Sequence, residues 1–228
     1  MTLTVYKEAT PNFHTGRTGT GKKFGVDLIV IHVTEGTAEA TISWFGSAKS
    51  NVSAHYLVHK DGRITQFVDE EDEAFHAGRV DHPTATLVVE RPGVNPNDYS
   101  IGIEHEGDGT TDLTPEQRKS SITLLRDINT RRQIPLDRIH VVGHHEIYGP
   151  KTCPGKIDVD TLVEQAGGVG HPGSPDIWPP QVVWSPFFGD YLIVTHKVSD
   201  TEWYFVKLGD MRGQMKAQTP LSAMPSTK

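Results

Sequence analysis

An α/β fold, with a sheet covered by helices, is predicted by three features of this 228-residue sequence. The run "DLIVIHV", Asp27 to Val33, is continuously apolar, as expected of a strand buried on both faces. The segment "TPEQRKSSITLLRDINTRRQ" carries the signature of a long amphipathic helix. Further strand-like runs, "YSIGIEHEG" and "RIHVVGHHEI", lie on either side of that helix.

The first strand follows the Gly-rich "TGTGKKFG". Behind it, "TAEATISWFGSAKS" places Ala38, Ile42 and Phe45 at helical spacing and predicts a short helix. "VSAHYLVH" and "RITQFVD" are joined by Lys60-Asp61-Gly62, and an Asp-Gly pair between two strand-like runs predicts a hairpin. Residues 70–98, punctuated by Pro, Gly and Asn, read as a long functional loop. In the long helix Thr114 is the expected cap, Pro115 suits the first turn and Gln117 completes a capping box. Its inward face should hold Ile122, Leu125 and Ile128. Residues 1–168 are read as the principal domain, and the Gly- and Pro-rich residues 169–180 as a linker. Residues 181–228 are read as a small β module with a disordered tail. Its aromatics, with Trp178 just before them (Trp184, Tyr191, Trp203, Tyr204), either form a small β core or stack on sugars.

The formal net charge of −7 argues against a nucleic-acid partner, which would draw on surplus Lys and Arg. No stretch approaches the roughly 20 apolar residues needed to cross a bilayer. The N-terminus lacks the apolar run of a signal peptide, so synthesis in the cytoplasm without membrane insertion is expected. One cysteine among 228 residues cannot form an internal disulfide, whereas twelve histidines raise the prospect of a metal site. His32, His144 and Cys153 fall at the ends of predicted strands, and imidazole and thiolate are donors that zinc favours. Spacing alone leaves other readings open. His32 could be a hydrogen-bonded core histidine, and Cys153 a filler thiol or a nucleophile paired with His144.

Four segments in order, "IVIHVT", "VSAHYLVHKDGRITQFVDEEDEAFHAG", "SIGIEHEG" and "VVGHHEIYGPKTCPG", resemble the zinc-dependent N-acetylmuramoyl-L-alanine amidases of the type-2 family. The resemblance spans residues 25–166. It implies a mixed central β-sheet flanked by helices, one Zn2+ ion and a groove for bacterial peptidoglycan or muropeptides. It places the metal ligands at His32, His144 and Cys153, with His145 in the motif's variable slot. It implies Glu104 as general base and Lys151 as the cation that stabilises the oxyanion. His76 matches a histidine that lines the substrate groove. Glu106 shares a strand face with Glu104 and is a possible understudy. Ala54 stands where many phage relatives carry a catalytic tyrosine, and Tyr56 is not promoted into that role; the departure favours the glutamate-using branch. His55, His59 and His105 are read as structural or surface residues, and His140 as a core histidine in the strand before His144. The extra aromatic module suggests a phage endolysin that acts on the cell wall after release, its C-terminal part a candidate wall-binding module. Cytosolic muropeptide recycling and non-catalytic peptidoglycan binding are the alternatives.

Overall fold

The computed structural model describes residues 4–17 and 23–167, and the backbone of strands within 181–216. The chain divides into two compact units, Met1–Gly168 and Val169–Lys228. In the first unit the strands are β1 (Val5–Lys7), β2 (Phe13–His14), β3 (Leu28–Val33), β4 (Tyr56–Val58), β5 (Ile64–Gln66), β6 (Glu73–Ala74), β7 (Ser100–His105) and β8 (Val141–Gly143). The helices are α1 (Ala38–Phe45), α2 (Thr86–Val89), α3 (Pro115–Arg132) and α4 (Val159–Gln165).

Six strands form one sheet in the order β1-β5-β4-β7-β3-β8. β3 runs parallel to both β7 and β8, whereas β4 and β5 form an antiparallel hairpin, so the sheet is mixed. The hairpin turns at Gly62, whose φ of +85° is open to glycine without strain. β2 and β6 make a separate two-stranded pair.

Every residue of β3 is buried, because side chains on both of its faces meet other elements. On one face Ile29, Ile31 and Val33 join Ile101, Ile103, Leu124, Leu125, Ile128, Leu162 and Val163 in the main core, bringing α3 and α4 onto the sheet. Each such fully buried aliphatic side chain contributes about 1.5–3 kcal/mol relative to an exposed one. The opposite face, with Leu28 and Val30, packs on α2 and on Tyr99, Val142 and Ile147.

Thr114 and Gln117 form the predicted capping box at the start of α3. The buried face of that helix is Leu124, Leu125 and Ile128, and Ile122 is only partly covered. Two expectations are corrected. The segment before His144 is a strand for three residues only and then tightens into a 3-10 turn, His144–Glu146. His140 therefore lies outside the strand, where its Nδ1 meets Asp137 Oδ1 at 2.7 Å. Residues 70–98 are not one loop, since β6, α2 and a 3-10 turn at Pro96–Tyr99 interrupt them.

In the second unit β9 (Gln181–Ser185), β10 (Asp190–Ser199), β11 (Glu202–Lys207) and β12 (Arg212–Lys216) form an antiparallel sheet in the order β12-β11-β10-β9. Trp178, the linker and the tail fall outside the described residues, as do the side chains of the module's aromatics. Among the described residues no helix is long and apolar enough to cross a membrane.

Candidate active site

The parallel pairing of β3 with β7 places His32 directly opposite Glu104. Residues in register on neighbouring strands project to the same face, so an imidazole and a carboxyl share one face near the C-terminal ends of two parallel strands. That is where open α/β sheets present ligands. His32 is 2% exposed. His144 follows β8, which lies on the other side of β3, and opens the 3-10 turn. Cys153 reaches the same place from the next loop.

These three side chains form a group whose ligand atoms all lie within 4.8 Å of one another. Cys153 Sγ is 3.8 Å from His32 Nδ1, and the His32 and His144 rings meet edge-on with centroids 4.6 Å apart. Bond lengths of ~2.0–2.3 Å put donors on a tetrahedral zinc at ~3.4–3.7 Å from each other, so a small inward movement would bring all three to one ion. The set suits a borderline-soft metal and could hold one.

The supports of each ligand are local. Glu146, two residues after His144, accepts from Gly143 N at 2.6 Å and from Arg138 Nη2 at 2.6 Å, which fixes the turn that presents the imidazole. Cys153 is held by its own loop: its carbonyl accepts from His145 N at 2.8 Å, while its sulfur accepts from Val33 N at 3.4 Å. Gly155, at φ +68°, lets that loop close on Gly109; a Cβ there would stand 2.3 Å from Gly109 O.

Burial governs the electrostatics. It lowers His144 to about 4, helped by Lys151 and His145, and holds His32 well below its usual value, helped by His144, His105 and Lys151. It pushes the Cys153 thiol up to about 12, with Glu104 adding to the effect. An activated cysteine nucleophile shows the opposite shift, so this direction argues against the peptidase reading of Cys153. Glu104 is raised to about 8, chiefly by burial and against the pull of Lys151. The residue is partly exposed, but its Oε2 is out of contact with solvent and has no hydrogen-bond partner among the described residues. Lys151 is exposed, two residues before Cys153, and close enough for its charge to act on His32, His144, Cys153 and Glu104.

The remaining candidates separate clearly. Glu106 Oε2 accepts from Lys60 N at 2.8 Å, a structural task that leaves it a poor understudy. Tyr56 donates to Glu70 at 2.8 Å and is buried away from the site. His105 links β7 to His32 O at 3.0 Å and to Ser121 Oγ of α3 at 2.8 Å. His59 meets Thr65 Oγ1 at 2.8 Å. His76 stands inside the site, with Nδ1 3.1 Å from His32 Nε2.

Sequence reasoning missed the polar group behind His76. Arg17 donates to the carbonyls of Asn97, Ser100 and Glu70 at 2.7–2.9 Å, and its Nη2 lies 3.0 Å from His55 Nε2. His55 is buried, accepts from Gly102 N at 3.0 Å and is lowered to about 3 by burial and by Arg17. No spacing rule marks such a group, because its members meet only through the strand order.

Comparison with known proteins agrees with this architecture. The profile of the family described as N-acetylmuramoyl-L-alanine amidase matches residues 21–156. N-acetylmuramoyl-L-alanine amidase A of Achromobacter lyticus is 41% identical over 80 residues, 35% of this chain and 36% of that protein. The 1,6-anhydro-N-acetylmuramyl-L-alanine amidase AmpD of Citrobacter freundii is 36% identical over 111 residues, 48% of this chain and 54% of that one. The chain thus spans about a third to half the length of these curated relatives. Among solved structures, AmiD of E. coli, in complex with anhydro-N-acetylmuramic acid-L-Ala-D-gamma-Glu-L-Lys, superposes with a TM-score of 0.54 at 27% identity, covering 70% of this chain and 66% of that one. With its profile match spanning more than half of its residues, the chain belongs to the N-acetylmuramoyl-L-alanine amidase family.

Proposed function

We propose that this protein is a zinc-dependent amidase that hydrolyses the bond between the lactyl group of N-acetylmuramic acid and L-alanine in peptidoglycan, and that it acts as a lytic endolysin. One observation carries the reading: two imidazoles and a thiol converge near Glu104, whose Oε2 is enclosed without a hydrogen-bond partner among the described residues. Family membership supports the bond class.

His32, His144 and Cys153 would hold the ion. When bound, zinc lowers the pKa of coordinated water and polarises a carbonyl oxygen. The protein's own groups supply the proton transfers. Glu104, on the strand beside His32, takes the proton of the attacking water and later delivers it to the leaving amine of L-alanine. The carbon–nitrogen bond breaks as the tetrahedral intermediate collapses, leaving a carboxylic acid and a free amine. Lys151, at the exposed edge, offers its ammonium to the negative charge that develops on the carbonyl oxygen. His76 is the candidate groove residue, and residues 181–228, within the second unit, are the candidate wall-binding module.

A second reading, recycling of soluble muropeptides, draws support from kinship with the 1,6-anhydro-N-acetylmuramyl-L-alanine amidases and from Glu104 in place of a tyrosine at position 54. Two substrates decide between them. A lytic enzyme is expected to release L-alanine N-termini from intact sacculi, whereas a recycling enzyme does so from soluble anhydro-muropeptides alone. Both releases should stop with a chelator and return with zinc. Release that ignores chelators overturns the metal reading, and release from neither substrate overturns the amidase reading. Equal retention of the whole chain and of residues 1–168 on purified walls would remove the binding role of the second unit.

A further inference from the structure

We propose that His76 is a positioning residue for the metal site: with Ser100 it forms a hydrogen-bond relay that holds His32 as the Nε2–H tautomer and leaves its Nδ1 lone pair for the ion. The inference rests on the metal-site reading above and deepens it.

The relay can be followed proton by proton from an end that admits one answer. Ser100 is fully buried, and its Oγ lies 2.7 Å from the carbonyl oxygen of Pro96, which can only accept. The single hydroxyl proton is therefore directed to Pro96. The Ser100 oxygen then accepts from His76 Nε2, 3.2 Å away. A neutral His76 ring that donates from Nε2 presents a bare lone pair at Nδ1. That lone pair faces His32 Nε2 at 3.1 Å, so His32 carries its proton there. His32 Nδ1 is left unprotonated, and it is the nitrogen that lies 3.8 Å from Cys153 Sγ. The opposite tautomer would present an N–H to the metal position and could not ligate. Which ring nitrogen binds a metal is set by the bond that the other one makes.

The fold is built around this ring. A Cβ on Gly102 would stand 2.5 Å from His76 Cγ, so the middle of β7 has glycine where the imidazole sits. Asn97 Oδ1 accepts from His76 N at 3.2 Å and from Ala77 N at 2.7 Å, pinning the segment that carries the ring. The rings of His32 and His55 meet that of His76 edge-on, with centroids 5.2 and 5.7 Å away. With Nδ1 and Nε2 both engaged, His76 has no ring nitrogen left for a substrate. Its place in the groove is then a by-product of its task behind His32.

The test uses the full chain. Zinc affinity is measured by competition with a chromophoric chelator, and the His32 tautomer is read from two-bond ¹⁵N–¹H correlation spectra of metal-free and zinc-loaded protein. Wild type should show His32 protonated at Nε2 in both states. His76→Ala should weaken zinc binding by about 10–100-fold, the usual effect of losing an outer hydrogen-bond partner, and should mix the His32 tautomers. His76→Asn keeps an acceptor near the former Nδ1 and should recover most of the affinity. Gly102→Ala, which expels the ring while keeping the histidine, should behave like His76→Ala. Thermal unfolding of each variant separates these effects from loss of fold. Unchanged zinc affinity with an unchanged His32 tautomer in His76→Ala overturns the relay. So does a rise in KM alone, which would return His76 to substrate contact. A wild-type protein that takes up no zinc overturns the metal reading instead, and the metal-free spectra still decide whether His76 sets the tautomer.

Discussion

Cys153 Sγ lies 3.8 Å from Nδ1 of His32, although 121 positions separate the two residues. The approach is enforced from both sides. β3 is locked between β7 and β8, and Val33 N donates to the sulfur at 3.4 Å. Removing the thiol should leave this framework standing, because Cys153 is a small member of the core cluster and not one of its large, fully buried aliphatics. Cys153→Ala is therefore expected to stay folded and to lose zinc by more than the ~10–100-fold that an outer partner costs. Cys153→Asp should bind more tightly than Cys153→Ala, since a carboxylate oxygen is also a zinc donor. Metal content after dialysis checks both, and one equivalent of zinc retained in Cys153→Ala would remove the sulfur from the ligand set.

Lys151 belongs to the same short loop but faces solvent. Its backbone N donates to Tyr148 O at 3.0 Å, which survives any change of side chain. Lys151→Ala should thus keep fold and metal while kcat falls by about 10²–10³, the usual effect of losing one contact to a developing oxyanion. Steady-state kinetics on a soluble muropeptide measures this. Normal turnover would take the lysine out of the mechanism.

Much of this arrangement was legible because its signals are local. The apolar run of β3, the Asp-Gly turn and the Thr114–Gln117 box each act within a few residues, and the structure forms all three. The ordered motifs also singled out His32, His144 and Cys153, whose ligand atoms the structure brings within 4.8 Å of one another. What stayed hidden is either short or long-range. The pattern around His140 is strand-like, but Arg138 donates to Val141 O and the turn at His144 ends the pairing after Gly143. α4 is too short for its periodicity to stand out, although Asp158 caps it and Val159, Leu162 and Val163 mark its buried face. The meeting of Ser100, His76 and His32 depends on β7 lying beside β3, which no local pattern specifies.

Glu104 offers a separation of stability from turnover. Among the described residues its Oε2 is enclosed without a hydrogen-bond partner, and burial disfavours the charged carboxylate more than Lys151 favours it. Glu104→Gln preserves shape and removes the basic oxygen. The variant is expected to unfold at the same temperature as wild type or higher, and to lose about 10²–10⁴ in kcat, the range ascribed to a positioned acid–base group. Thermal melts and turnover on one preparation test the pair of outcomes. Retained turnover would shift the base to another group.

Glu70 is expected to contribute to the acid limit of the fold. The buried carboxylate is bound by Arg131 at 2.6 and 2.9 Å, by Arg132 at 2.7 Å and by the Tyr56 hydroxyl at 2.8 Å. Burial alone would raise its pKa, but these hydrogen bonds outweigh it and hold Glu70 at about 2, against 4.5 unperturbed. The folded state therefore binds this proton less readily than the unfolded chain. The stabilisation is complete above pH 4.5 and is lost as the pH falls from there toward 2. A shift of this size corresponds to roughly 3 kcal/mol, at 1.36 kcal/mol per pH unit. Glu70→Gln should forfeit most of that margin at pH 7 and flatten the decline in stability between pH 4.5 and 2. Urea unfolding at several pH values measures both. Wild-type and variant curves that run parallel through that window would show that the two arginines at the end of α3 do not draw their hold on the loop after β5 from this charge.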